Sequence, residues 1–311
     1  MIRAFRVYVG VGLLLAAVQS AGAADPAADA KPPELRIGLL KPMFKDVPAA
    51  MVNAAARPLQ SMIVDKSGMK GSIEVVDDYK ALAEKLSSGK LDIGVFHGFE
   101  YAWVKDTPGL VPLVATVPNC GKVQACLVVS VDSKFTEVKD LKGACVVVPT
   151  SSKAHCHMYL ERIRERLPAG DCCPAKNRGL TPEAALGEVA NGEADAALVD
   201  VSSLIALERA LPGCYKKLRI LAQSEQLPPA VVVYRKDSFD AATVTKIRNG
   251  LLDCSTTGPG RLFSMFWQLK GFEDVSASYH TLVATAAKAY PAPGGPVPPA
   301  APSAPNPLPN K

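Results

Sequence analysis

Pro149-Thr150-Ser151-Ser152 places three hydroxyls in a row. An apolar run, Ala144 to Val148, precedes them and reads as a strand, and a helix opens just after them at Ala154. The start of a helix carries backbone N–H groups without partners and the positive end of the helix dipole. Hydroxyls at such a place can bind an oxyanion without a formal positive charge. An ordinary N-cap would explain one of the three hydroxyls equally well.

A second group follows the apolar run Leu91 to Phe96. His97-Gly98-Phe99-Glu100-Tyr101 brings an imidazole, a carboxylate and a phenol to a strand's carboxyl end, where ligands of open α/β sheets collect. Tyr79, after Asp77-Asp78, stands where a strand gives way to a helix, a place that also suits simple packing. His155-Cys156-His157-Met158 combines soft-metal ligands fit for copper or zinc. Residues one or two apart on a helix point in different directions, so these four converge poorly. The sequence has no GxSxG, HExxH or P-loop pattern. A thiol nucleophile paired with histidine is a further alternative.

These residues need a frame, and the hydrophobic pattern supplies one. Strands are expected over Leu35–Leu40, Gly71–Val76, Leu91–Phe96, Cys126–Val131, Ala144–Val148, Ala194–Val199 and Pro229–Tyr234. Helices are expected over Ala49–Val64, Asp78–Ser87, Ala154–Arg166, Thr181–Asn191, Asp240–Leu252 and Gly260–Leu269. Thr181-Pro182-Glu183 makes a good cap and first turn. Such alternation with short links predicts a mostly parallel sheet covered on both faces. The chain is expected to change lobe near Val117–Gln124 and again near Ser224–Pro229, where Leu227-Pro228-Pro229 forces an extended path. Two crossovers make a hinge, with a ligand cleft between the lobes. The expected boundaries are 34–123 for the first part of lobe one, 124–226 for lobe two and 227–290 for the return to lobe one.

The ends read differently. Arg3 and Arg6, the apolar run Val7 to Val18 and Ala21-Gly22-Ala23 form a secretory signal peptide over residues 1–23, with cleavage expected after Ala23. The run is short for a membrane anchor. Residues 24–33 form an Ala/Asp/Pro leader and 291–311 a Pro-rich tail, both expected to be disordered. Losing Arg3 and Arg6 lowers the formal charge from +5 to +3, and aromatics make up 6% of the chain, so nucleic acid is not an expected partner. Eight cysteines in an exported chain suggest disulfides, and Cys120 and Cys126 flank a turn-like stretch that a bridge would clip into a hairpin. No cofactor is expected.

From Leu35 to about Val275 the chain resembles the phosphate/phosphite/phosphonate-type substrate-binding proteins of ABC importers. The features that carry the resemblance occur in order: Asp78-Tyr79, Gly89-Lys90-Leu91-Asp92-Ile93, His97-Gly98 to Tyr101, Val131-Asp132-Ser133, Asp140-Leu141-Lys142-Gly143, Thr150-Ser151-Ser152, Asn191 to Ala196, and Ser224 to Pro228. The resemblance implies an α/β, two-lobed type II periplasmic-binding fold with two hinge crossovers. It implies a non-catalytic, exported, monomeric protein that binds a small oxyanion and works with a membrane permease. It implies that Tyr79, Thr150, Ser151 and Ser152 face the ligand, with Tyr101 near the cleft and Asp200 on the opposite lobe. His97 joins these candidates from its strand end, and Thr181 from the helix start where phosphonate binders place a histidine. Lys153 departs from the family's usual glycine, and Gln124 from a frequent tyrosine. The alternatives are a soft-metal site at His155, Cys156 and His157, and an enzyme built on the same fold.

Overall fold

The computed structural model describes residues 34–44, 51–52, 54, 57–61, 69–166 and 175–293. The expected signal peptide and leader, half of the helix expected over 49–64, Cys172-Cys173 and nearly all of the tail lie outside the described residues. The folded body is one compact unit from Glu34 onward.

The chain first lays down β1 (Glu34–Leu40), β2 (Lys70–Val76), β3 (Ile93–Phe96) and β4 (Leu110–Pro118). It then forms β5 (Ala125–Ser130), β6 (Val146–Pro149), β7 (Ala175–Arg178), β8 (Ala196–Asp200) and β9 (Leu218–Gln223). It ends with β10 (Val231–Arg235) and β11 (Leu269–Asp274). Two sheets result, in the orders β11-β4-β10-β3-β1-β2 and β7-β6-β8-β5-β9. Helices α1 (Tyr79–Ser87) and α2 (Gly98–Val104) belong to the first passage. In the second come α3 (Ala154–Arg166), α4 (Pro182–Ala190), α5 (Val201–Ala210) and α6 (Pro212–Tyr215). The return adds α7 (Ala241–Leu252), α8 (Gly258–Trp267) and α9 (Ala277–Ala289).

Neither sheet is mostly parallel, and here the structure corrects the sequence. β1 is parallel to β2 and β3, but β10 is antiparallel to β3 and β4, and β11 is antiparallel to β4. In the second sheet β6 is parallel to β7 and β8, while β5 runs against both β8 and β9. The cause is the double crossing. A strand arriving from the other lobe enters from the opposite end, so β5 and β10 each run against their new neighbours.

Both sheets are covered on two sides because strand side chains alternate between faces. In β5, Leu127 and Val129 join a core cluster that continues into the first lobe, while Cys126 and Val128 join the outer core of the second lobe. β10 divides in the same way, with Val231 and Val233 on one face and Val232 on the other.

The two crossovers hold each other. Val123 and Leu227 form an isolated antiparallel bridge, Gln124 Nε2 donates to Ser224 O at 2.6 Å, and Ala125 N donates to Ser224 Oγ at 3.0 Å. Gly98 lets α2 approach this point. A Cβ there would lie 2.1 Å from Pro228 O and 2.4 Å from Pro229 O, and neither backbone atom can give way. Glu225, on the second crossover, accepts hydrogen bonds from Arg162 of α3 and from Tyr290 Oη at 2.7 Å. The Arg162 guanidinium also lies 4.6 Å from the centre of the Tyr290 ring, and Trp103 Nε1 donates to Tyr290 O at 2.7 Å. Burial opposes ionisation of Glu225, but the bonds from Arg162 and Tyr290 outweigh it and hold the carboxyl below its usual range.

The Cys120–Cys126 bridge expected from sequence is not formed; both thiols are free. The hairpin it would have clipped does not exist, because β4 and β5 belong to different sheets. Cys120 Sγ instead donates to Lys122 O at 2.9 Å, and burial pushes the Cys126 thiol up to about 12.

Candidate functional site

Three strand ends meet at the junction of the lobes. β6 ends at Pro149, and Ser152, Lys153 and His155 follow at the start of α3. Its parallel neighbour β8 ends at Asp200, which caps α5 by accepting from Ser202 N at 2.9 Å. From the first lobe β3 ends at Phe96, and His97 stands at the N-cap of α2. A cavity of about 430 Å³ lies among them. A smaller one of about 260 Å³ adjoins it, sharing Ser151, Ser152 and Lys153 and reaching Pro182 at the start of α4.

Asp200 organises the polar side. Its carboxylate accepts from Lys153 Nζ at 3.0 Å, lies 2.7 Å from His155 Nε2, and also accepts from Ser202 Oγ. Lys153 Nζ lies 3.2 Å from Ser202 Oγ. Burial disfavours the Asp200 charge, but the His155 hydrogen bond and the Lys153 charge outweigh it, so the carboxyl stays well below the usual carboxylate range. An anion arriving here therefore meets a carboxylate already neutralised by a lysine, not a bare negative charge.

Ser152 carries the strongest hint of a ligand. It is 5% exposed and lines the cavity, and its Oγ has no hydrogen-bond partner among the described residues. A buried hydroxyl left unpaired costs about 1–3 kcal/mol, so its retention at a helix start calls for a reason. On the facing lobe, His97 Nδ1 lies 2.6 Å from Glu100 Oε2, and the His97 ring stacks on Phe99 with centroids 5.2 Å apart.

Of the residues singled out from sequence, His97, Ser151, Ser152 and Asp200 line the cavity together. Thr150 is exposed on the turn before them and is not among the lining residues. Tyr79 and Tyr101 are buried behind the wall. The Tyr79 ring packs on Trp103 with centroids 4.8 Å apart, and its hydroxyl has no hydrogen-bond partner among the described residues, while the Tyr101 ring lies 6.4 Å from Phe96. Thr181 acts as the N-cap of α4, accepting from Ala184 N at 3.2 Å.

The soft-metal alternative loses its geometry. His155 turns to Asp200, whereas Cys156 is fully buried in the core, where desolvation pushes its thiol well up. Among the described residues no three His, Cys, Asp or Glu side chains are grouped to hold a metal ion. A thiol held protonated by burial is also a poor nucleophile.

Sequence reasoning missed much of the lining. Ser202 lies in the first turn of α5, two residues after its N-cap Asp200, which was already a candidate. Phe44, Val232, Phe263, Trp267 and Phe272 also line the cavity. The clue was α8, where Leu262, Phe263, Met265, Phe266 and Trp267 give a helix too apolar for a single buried stripe.

Comparisons with known proteins agree with this fold. Residues 44–279 match the family model described as the periplasmic substrate-binding protein of phosphonate ABC transporters. No curated protein matches. Among solved structures, a Xanthomonas citri protein bound to chloride ion is 18% identical, with a TM-score of 0.59 over 81% of this chain and 95% of its own. PhnD1 from Prochlorococcus marinus, in complex with methylphosphonate, is 13% identical, with a TM-score of 0.55 over 83% and 98%. A binding protein component of the ABC phosphonate transporter of Pseudomonas aeruginosa is 15% identical, with a TM-score of 0.52 over 85% and 91%.

Proposed function

Because this chain belongs to the family of periplasmic substrate-binding proteins of phosphonate ABC transporters, we propose that it captures a small oxyanion of the phosphate, phosphite or phosphonate type between its lobes and delivers it to a membrane permease. On this reading the protein is a monomer, exported by removal of residues 1–23, and no bond is made or broken in its cleft. The lobes are assigned to 34–123 with 227–290, and to 124–226.

The observation that carries the proposal is the unpaired Ser152 hydroxyl at the start of α3, beside Lys153. An oxyanion there would accept from Ser152, from backbone N–H groups of the first helical turn and from the lysine. Asp200 would hold Lys153 in place. His97 on the facing lobe would meet the ligand only when the lobes close, which gives binding its preference for the closed form. Methylphosphonate in the Prochlorococcus relative is a ligand of this chemical type.

Calorimetric titration with phosphate, phosphite and methylphosphonate tests the proposal. Wild-type protein should bind at least one of them. Ser152→Ala should weaken that binding by about 1.5–3 kcal/mol, the range for a hydrogen bond to a charged group. Its unliganded melting temperature should hold or rise, because an unpaired buried hydroxyl has gone. Unchanged affinity would mean that the hydroxyl takes no part in binding.

A further inference from the structure

The Asp200 carboxylate has more partners than its burial requires. Asp200 is 5% exposed and lines both cavities. Its Oδ1 accepts from Ser202 N at 2.9 Å and from Ser202 Oγ, and its Oδ2 lies 2.7 Å from His155 Nε2. Both oxygens therefore have partners without Lys153, and the helix start that Asp200 caps needs nothing more. Lys153 Nζ is a further contact on Oδ1, at 3.0 Å, and lies 3.2 Å from Ser202 Oγ. The lysine side chain is 52% exposed and lines both cavities. A pair this open to solvent adds little to stability. What it changes is the charge that the cleft presents.

Without the lysine, an ionised carboxylate would stand open to the larger cavity. Among the described residues it is the only acidic side chain lining that cavity. It would draw in a cation carried by the ligand, because a buried charge calls for a partner. Lys153 supplies that partner from within the chain. The place is taken, and the ammonium that takes it repels a second one. Lys122, the other lysine lining the larger cavity, adds repulsion of the same sign. Glu183 lines the smaller cavity but is exposed in the first turn of α4, where solvent screens it.

We propose that Lys153 is a specificity-determining residue, the charge selector of the cleft. Its ammonium occupies the position on Asp200 that a ligand's cation would take. The site is thereby restricted to oxyanions whose remaining part carries no positive charge. This rests on the oxyanion reading above: the charged head binds at Ser152, and Lys153, next in sequence, acts on whatever the head is attached to.

The test is calorimetric titration of the full-length protein at neutral pH with phosphate, propylphosphonate and 2-aminoethylphosphonate. The last two match in length and differ by a methyl against an ammonium group. Wild-type protein should bind propylphosphonate at least about 100-fold more tightly than 2-aminoethylphosphonate, equivalent to about 2.8 kcal/mol. Two unit charges a few ångströms apart in a partly buried site repel strongly enough to supply this. Lys153→Ala should narrow the ratio below about fivefold, mainly by strengthening 2-aminoethylphosphonate, because Asp200 is then free to accept its ammonium. Lys153→Gln keeps a neutral donor on Asp200 and should give an intermediate ratio. Melting curves check that both variants are folded. Equal binding of the two phosphonates by wild type would overturn the inference and leave oxyanion capture standing; Glu183 or solvent would then receive the ammonium. A Lys153→Ala protein that keeps the wild-type ratio would overturn it too. So would loss of all binding in both variants, which would make Lys153 part of the grip on the head alone. Phosphate binding with neither phosphonate would leave nothing to select and would also overturn it. No binding by wild type of any of the three, or of methylphosphonate, would overturn both readings.

Discussion

The second lobe meets the cleft with the ends of two parallel strands and the starts of two helices; the first lobe meets it mainly with the face of a sheet and the side of a helix. Strand ends and helix starts expose backbone N–H groups and collect Ser, Thr and Asp, so they make a polar wall. A sheet face offers every second side chain of its strands, here Leu39 and Val232, and α8 adds Phe263 and Trp267. The same α/β architecture thus yields different chemistry according to which of its surfaces is turned to the cavity. The polar wall keeps an unpaired hydroxyl at Ser152, whereas the aromatic wall is packed against itself.

That contrast predicts where each wall fails. Phe263 is 5% exposed and belongs to the outer core of the first lobe. Phe263→Ala should lower stability by about 3–5 kcal/mol, read by denaturant unfolding. Methylphosphonate affinity of the protein that remains folded should stay unchanged. A loss of methylphosphonate affinity would show that the aromatic wall serves the charged head as well.

A smaller effect is expected at Asp200, whose folded-state carboxyl is held well below its ordinary value. A depressed acid contributes stability that is fully present above its unfolded value, near pH 4. That contribution fades as pH falls through the carboxylate range toward the folded value. Asp200→Asn should cost about 1.5–3 kcal/mol at pH 7, because Lys153 and His155 lose a charged acceptor. It should also flatten the decline in stability below about pH 5. Melting curves of both proteins from pH 3 to 7 check this; parallel pH profiles would assign the decline to other acids, Glu225 first among them.

Thr181 separates packing from recognition within the polar wall. As the N-cap of α4 it should cost about 1 kcal/mol when changed to Ala, with ligand affinity intact. Weaker phosphonate binding by Thr181→Ala at unchanged stability would instead place its hydroxyl against the ligand.

Much of the fold was legible because most strands are short apolar runs buried on both faces. α3 was readable from Ala154 to Arg166, and α7 and α8 to within about two residues. β4 escaped because Pro112 and Pro118 interrupt a strand that is bonded on both sides. Strand direction was not legible at all. It depends on how often the chain crosses between lobes, and local periodicity carries no record of that. The hydroxyl cluster could be read because strand, turn and helix start are adjacent in sequence. The aromatic wall could not, since Phe44, Val232 and Phe272 are brought together only by sheet order. Lys153 stood out as a departure from a familiar pattern, but its partner Asp200 lies 47 residues further on.

The chain has two tryptophans, and the fold has given them separate posts. Trp267 lies on the aromatic wall, while Trp103 is bonded to Tyr290 beside the Arg162–Glu225 contact at the second crossover. The molecule therefore carries two built-in fluorophores, one lining the cavity and one beside the second crossover. Replacing either with phenylalanine leaves an optical signal from the other, so a change at the cavity and a change at the crossover can be timed apart in a stopped-flow experiment without attaching any label.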